Sequence, residues 1–220
     1  MPKTSLAKKS VGRPRKFNRA LVLNKGTKLF WKHGYEGTSM LMIEKATKLS
    51  TNSLYNAFGS KFEFFEECAN NYLRQMRTRR PILPNALQQP TARKVAEYFL
   101  TERVKSFKSG KHPEGCLVIL AAAVASPNGK EAKEFLANIR ERVIGRFVDR
   151  FQKAIDQGDL PEDANALDLA ELIVTFDSGI AVRCQRATKA QLLRSVELFL
   201  NIWPESNEAH AAKIKKFHIV

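Results

Sequence analysis

The chain has 220 residues, 44% hydrophobic and 27% charged, with a formal net charge of +15. Such proportions suit a globular protein of one or two domains, and no run of 18 apolar residues offers a membrane-spanning helix. The charge is unevenly placed: residues 1–80 hold 17 Lys/Arg against 5 Asp/Glu, whereas residues 81–220 hold 20 against 17. The basic excess therefore lies in the first third of the chain, as a phosphate footprint requires. The N-terminus is basic without an apolar core, which excludes a secretory signal. Three widely spaced cysteines, Cys68, Cys116 and Cys184, argue against a disulfide framework and for the cytoplasm.

Taken in chain order, residues 1–16 are Lys/Arg-rich and aperiodic, and read as a flexible basic arm. Asn18 can cap a first helix with Val22, Leu23, Gly26, Leu29 and Phe30 at helical spacing, ended by Gly34. Gly26 inside it costs roughly 1 kcal/mol against alanine, which close packing on another helix would explain. Thr38 or Ser39 caps a second helix, Ser50 a third, and Ser60 with Glu63 forms a capping box for a fourth. That fourth helix carries the stripe Phe62, Phe65, Ala69, Tyr72, Leu73 and Met76, and Pro81 and Pro84 terminate it. Beyond residue 80 the periodic segments are again helical: 91–109, 116–125, a long one from Asn128 to about Gln157, 165–186 and 189–203. No segment alternates with period two for long enough to make a strand. The expected fold is all-α, in four parts: arm 1–16, a three-helix helix-turn-helix domain at 17–80, a helical domain at 81–204, and an unassigned tail at 205–220.

Two short helices separated by a three- to four-residue turn are the sequence form of a helix-turn-helix, whose second helix enters the DNA major groove. Its outer face would carry Thr51, Asn52, Ser53, Tyr55 and Asn56, with Leu54 and Phe58 as anchors. Asparagine matches the adenine edge, and Ser or Thr can reach several base edges. Tyr55, Lys48 and Lys61 suit phosphate contacts, as do Thr38 and Ser39 at a helix N-terminus.

Residues 12–73 resemble the DNA-binding domain of the TetR/AcrR family of bacterial transcriptional repressors. The resemblance rests on Gly12-Arg13-Pro14-Arg15, Leu29-Phe30-Trp31, His33-Gly34-Tyr35-Glu36-Gly37-Thr38-Ser39 and Ser53-Leu54-Tyr55-Asn56-Ala57-Phe58-Gly59-Ser60-Lys61. It implies a homodimer on a palindromic operator, with a helical domain that binds a small effector and releases the DNA. It also brings Arg13, Arg15 and Lys16 of the arm near the minor groove. Lys48 stands where the family usually has glycine in the turn; a left-handed backbone there costs about 1 kcal/mol.

In the second domain the candidates for a ligand pocket, with Phe65 and Tyr72 of the fourth helix, are Phe99, Phe107, Phe135, Phe147, Phe176 and Asp177. Asp177 and Arg183 can pair with each other, across a dimer interface, or with a polar ligand group. The apolar run Leu169, Leu172, Ile173, Phe176, Ile180, Leu193, Val196 and Leu200 exceeds one helix contact and suggests a dimer interface. Cys116 is a possible thiol sensor, although a free cysteine usually behaves as a small buried hydrophobe. No phosphate loop, zinc motif or nucleophile elbow is present, so no catalytic, metal or cofactor site is expected. His112 and Cys116 are separated by Pro113 and Gly115, which disfavours joint ligation. The alternatives are a nucleic-acid-processing enzyme targeted by the helix-turn-helix, and an architectural dimer with no small ligand.

Overall fold

Helix boundaries follow the capping residues. The computed structural model describes residues 17–110, 113–123 and 129–204, and these form ten helices with no strand among them. Helix α1 (Arg19–His33) starts after Asn18, whose side chain accepts the Leu21 N–H, and stops at Gly34 with φ of 71°. Helix α2 (Met40–Thr47) is capped by Ser39, and α3 (Thr51–Phe58) by Ser50. The capping box of Ser60 and Glu63 opens α4 (Lys61–Arg79). Each such cap satisfies an orphan N–H and contributes roughly 1 kcal/mol.

Helix α4 ends at Arg79, but the two prolines do more than stop it. Pro81 opens a short helix α5 (Ile82–Leu87), with Pro84 in its first turn, where a missing N–H breaks no hydrogen bond. Then follow α6 (Ala92–Phe107), capped by Thr91, and α7 (Leu117–Ala123). Helix α8 (Lys130–Asp156) begins after Gly129 without a side-chain cap; Asn128, expected to cap it, lies outside the described residues. Asn165 caps α9 (Ala166–Arg183), and Thr188 with Gln191 forms a second capping box for α10 (Lys189–Asn201). The arm and the C-terminal tail also lie outside the described residues.

Helices α1–α3 wrap the N-terminal half of α4 around an aromatic core. Phe30 meets Phe65 edge-on at 5.0 Å between centroids, and Phe58 meets Phe64 at 4.7 Å. Gly26 allows α1 this approach: a Cβ there would lie 2.5 Å from Phe64 Cζ and 2.7 Å from Cys68 Sγ. Phe64 and Cys68 fall outside the stripe read from the sequence, because α4 buries two faces, one on α1 and one on the second domain. The second domain packs α6, α8, α9 and α10 around Phe99, Phe147, Phe151 and Trp203, with successive centroids 5.0, 5.6 and 5.4 Å apart. Trp31 of α1 and Tyr72 of α4, 4.8 Å apart and edge-on, join the two regions.

Candidate nucleic-acid interface and cavity

Helix α3 is held from beneath by Leu54 and Phe58, which are buried, and presents Asn52, Ser53, Tyr55 and Asn56 to solvent. It is also tied at its start. The Glu44 carboxylate accepts the Thr51 backbone N–H at 2.9 Å and the Thr51 hydroxyl at 2.6 Å. These two bonds hold the Glu44 carboxyl below its ordinary range, so the clamp is charged at neutral pH. Glu44 was missed by sequence reasoning; a carboxylate seven residues before the helix start is its only signal. Thr51 is accordingly less free than expected, since its hydroxyl is consumed within the motif.

Thr38 needs a correction. It is fully buried and its hydroxyl donates to the Gly34 carbonyl at 2.7 Å, so the α2 cap is Ser39 alone. Ser39 remains exposed, with its hydroxyl at the positive end of α2. Lys48 adopts the left-handed conformation anticipated for the turn (φ 65°, ψ 23°), the only non-glycine with positive φ among the described residues. Its side chain is exposed. Lys61 is half-buried with its ammonium 4.5 Å from the Tyr35 ring centroid. Burial lowers its pKa, with Glu36 acting the other way, so it supports packing as well as offering a cation. Arg13, Arg15 and Lys16 lie outside the described residues.

Between the C-terminal half of α4 and helices α5–α9 lies a cavity of about 730 Å³, within the range usual for ligand sites. Of the sequence-based pocket candidates, Tyr72, Phe99 and Asp177 line it. The others do not: Phe65 and Phe135 pack against each other, Phe107 lies beneath Arg103, Phe147 stacks on Phe151, and Phe176 lies against Phe199. Asp177 pairs with Arg103 rather than Arg183, through two hydrogen bonds of 2.8 Å that bridge α6 and α9. Burial opposes the Arg103 charge, yet Asp177 holds its pKa well above the arginine range. Cys116 also lines the cavity, and its sulfur accepts a hydrogen bond from the Tyr72 hydroxyl at 3.6 Å. Burial, followed by the neighbouring Cys116, raises the Tyr72 phenol well above its usual pKa and keeps it a neutral donor. Burial likewise raises the Cys68 thiol, and pushes Cys184 up to about 11.

The apolar residues expected at a dimer interface separate into two groups. Leu169, Ile173, Ile180, Val196 and Leu200 are buried within the protomer and cannot form its outer surface. Leu172 is exposed and Phe176 and Leu193 are half-buried. The reading from α9 and α10 overlooked Val182, Leu198 and Ile202, exposed by 50%, 67% and 74%. No helix among the described residues is long and apolar enough to cross a membrane.

Residues 22–68 match the family model of bacterial regulatory proteins of the tetR family. The HTH-type transcriptional repressor ComR of Escherichia coli (strain K12) is 28% identical over 206 residues, covering 92% of this chain and 96% of ComR. A cysteine mutant of the TetR family transcriptional regulator CifR, solved with a 26-base-pair operator duplex, is 36% identical. The match covers 88% of this chain and all of that one, with a TM-score of 0.79. A TetR regulator from Rhodococcus sp. RHA1 is 34% identical with a TM-score of 0.57, covering 84% of this chain and 98% of its own.

Proposed function

Since this chain belongs to the TetR family of transcriptional regulators, we propose that it is a dimeric, effector-released repressor of a palindromic operator. The observation that carries this reading is the polar outer face of α3, locked to α2 by Glu44 and carried on the same α4 that lines the cavity. Each protomer would lay α3 in the major groove, with Asn52, Ser53 and Asn56 toward base edges. Ser39, Tyr55 and Lys48 would take backbone phosphates. Two half-sites about one helical turn apart would then mirror a two-fold dimer. Leu172, Phe176 and Gly179 on α9, with Ser195 and Leu198 on α10 and Ile202 just after it, form the face proposed to close that dimer. The reading assigns the chain no catalytic step, and places its action in the cytoplasm.

Two measurements test it. Light scattering should give about twice the chain mass of 24.9 kDa, with Leu198→Glu shifting the protein toward monomer; a wild-type monomer at micromolar concentration would refute the dimer. Gel shifts with promoter DNA should show Asn52→Ala losing roughly 1–3 kcal/mol on the operator and little on scrambled duplex. Equal losses on both duplexes would move base reading away from Asn52.

A further inference from the structure

We propose that the effector is an anionic amphiphile: an apolar body seated in the cavity, with a carboxylate or phosphate head held by arginines at its edge. The inference rests on the reading of this cavity as the effector site. The interior is apolar, formed by Leu73, Met76, Phe99, Ile139, Val143 and Val174. Its charged lining is almost of one sign. Arg74 and Arg77 come from the end of α4, Arg80 directly follows it, and Arg140, Arg142 and Arg146 come from α8. The only carboxylate in the lining is Asp177, already engaged by Arg103 through both oxygens. None of the six other arginines has a salt bridge among the described residues.

Arg140 sharpens the case. Its Nε is buried and has no hydrogen-bond partner among the described residues. An arginine cannot relieve this by losing its proton, so a buried N–H there calls for an acceptor beyond the described residues, and a bound anion would supply it. A cation would meet repulsion from the arginines, and a neutral apolar ligand would leave the buried Arg140 Nε–H unmatched, whereas the exposed Arg74, Arg77, Arg142 and Arg146 reach water. A carboxylate or phosphate matches their planar fork, with two parallel bonds available from a single arginine. Because the six residues divide between the end of α4 and α8, one head group can draw the two helices together.

Two fluorescent probes of similar apolar size separate charge from hydrophobicity: anionic 1-anilinonaphthalene-8-sulfonate and neutral N-phenyl-1-naphthylamine. The full-length wild-type protein should bind the anion at least about tenfold more tightly than the neutral probe, and decanoate should displace it where decanol does not. Arg140→Met should remove most of that preference by weakening the anion's binding; Arg77→Met, at an exposed position, provides a second variant. If the neutral probe binds as tightly as the anion and neither variant changes the ratio, the anionic class is wrong and the effector cavity stands. If neither probe binds, both the inference and the effector-site reading fall.

Discussion

Replacing Lys48 by glycine separates two roles that one residue combines. Its backbone is left-handed, which costs an L-residue about 1–2 kcal/mol. Glycine removes that strain but gives the unfolded chain more freedom, a cost of about 0.4–1 kcal/mol. The balance favours Lys48→Gly by roughly 0.5–1 kcal/mol, or about 2 °C in melting temperature for a chain of this size. Lys48→Ala keeps the strain and should stay within about 0.5 kcal/mol of wild type. On DNA the two variants should behave alike, because both lack the exposed ammonium. Each should bind operator and unrelated duplex more weakly, with the salt slope reduced by about 0.9 per half-site. Urea denaturation gives the first comparison and binding at two salt concentrations the second. A glycine variant no more stable than the alanine one would refute the strain argument, and an unchanged salt slope would remove Lys48 from the phosphate contacts.

Other outcomes follow from the same geometry. Gly26→Ala should destabilise by about 1–2 kcal/mol despite alanine's helix preference, because its Cβ would press into Phe64 and Cys68, both buried; a rise in melting temperature would mean that α1 and α4 can part cheaply. Asp177→Asn leaves the Arg103 charge buried without its partner and should cost about 3 kcal/mol, whereas joint Arg103→Met and Asp177→Leu should recover most of the loss in a thermal melt. The Glu44 pKa is lowered on folding, so its clamp is fully effective above the unfolded value near 4.5 and is lost as pH falls through the folded one. The stability gap between wild type and Glu44→Ala should therefore be constant above about pH 5.5 and narrow toward pH 3, and a gap that widened on acidification would contradict the clamp. Limited maleimide labelling near pH 7, read by peptide mass, should find Cys116 at the cavity ahead of Cys68 and Cys184, whose thiols burial disfavours as thiolates.

What could be read in the chain was local chemistry. Asn18, Ser50, Ser60 and Thr188 cap where short polar side chains before apolar periodicity say they should, since a cap acts within three residues of itself. Gly26 and Lys48 were legible for a related reason: each violates a backbone preference that only close packing or a tight turn explains. Partnership across helices was not. Nothing in the sequence distinguishes the exposed hydroxyl of Ser39 from the buried one of Thr38, or shows that Glu44 takes the hydroxyl of Thr51. Helix α9 is apolar nearly all round, so periodicity could not say that Ile173 and Ile180 turn inward while Leu172 and Val182 turn out. The arginines of the cavity were hidden for the opposite reason, because on a helical wheel they look like a solvated face.

Helix α4 has the proportions of a lever. Its 19 residues extend about 28 Å, with α3, the proposed reading helix, joined at one end and the cavity arginines at the other. A tilt of about 8° about its midpoint displaces each end by about 2 Å. In a two-fold dimer the displacement at the DNA end is doubled, because both reading helices move relative to one fixed groove spacing. Hydrogen bonds to base edges tolerate only a few tenths of an ångström. A shift no larger than the slack of one arginine side chain at the cavity is thus enough to put both halves of the dimer out of step with the turn of the double helix.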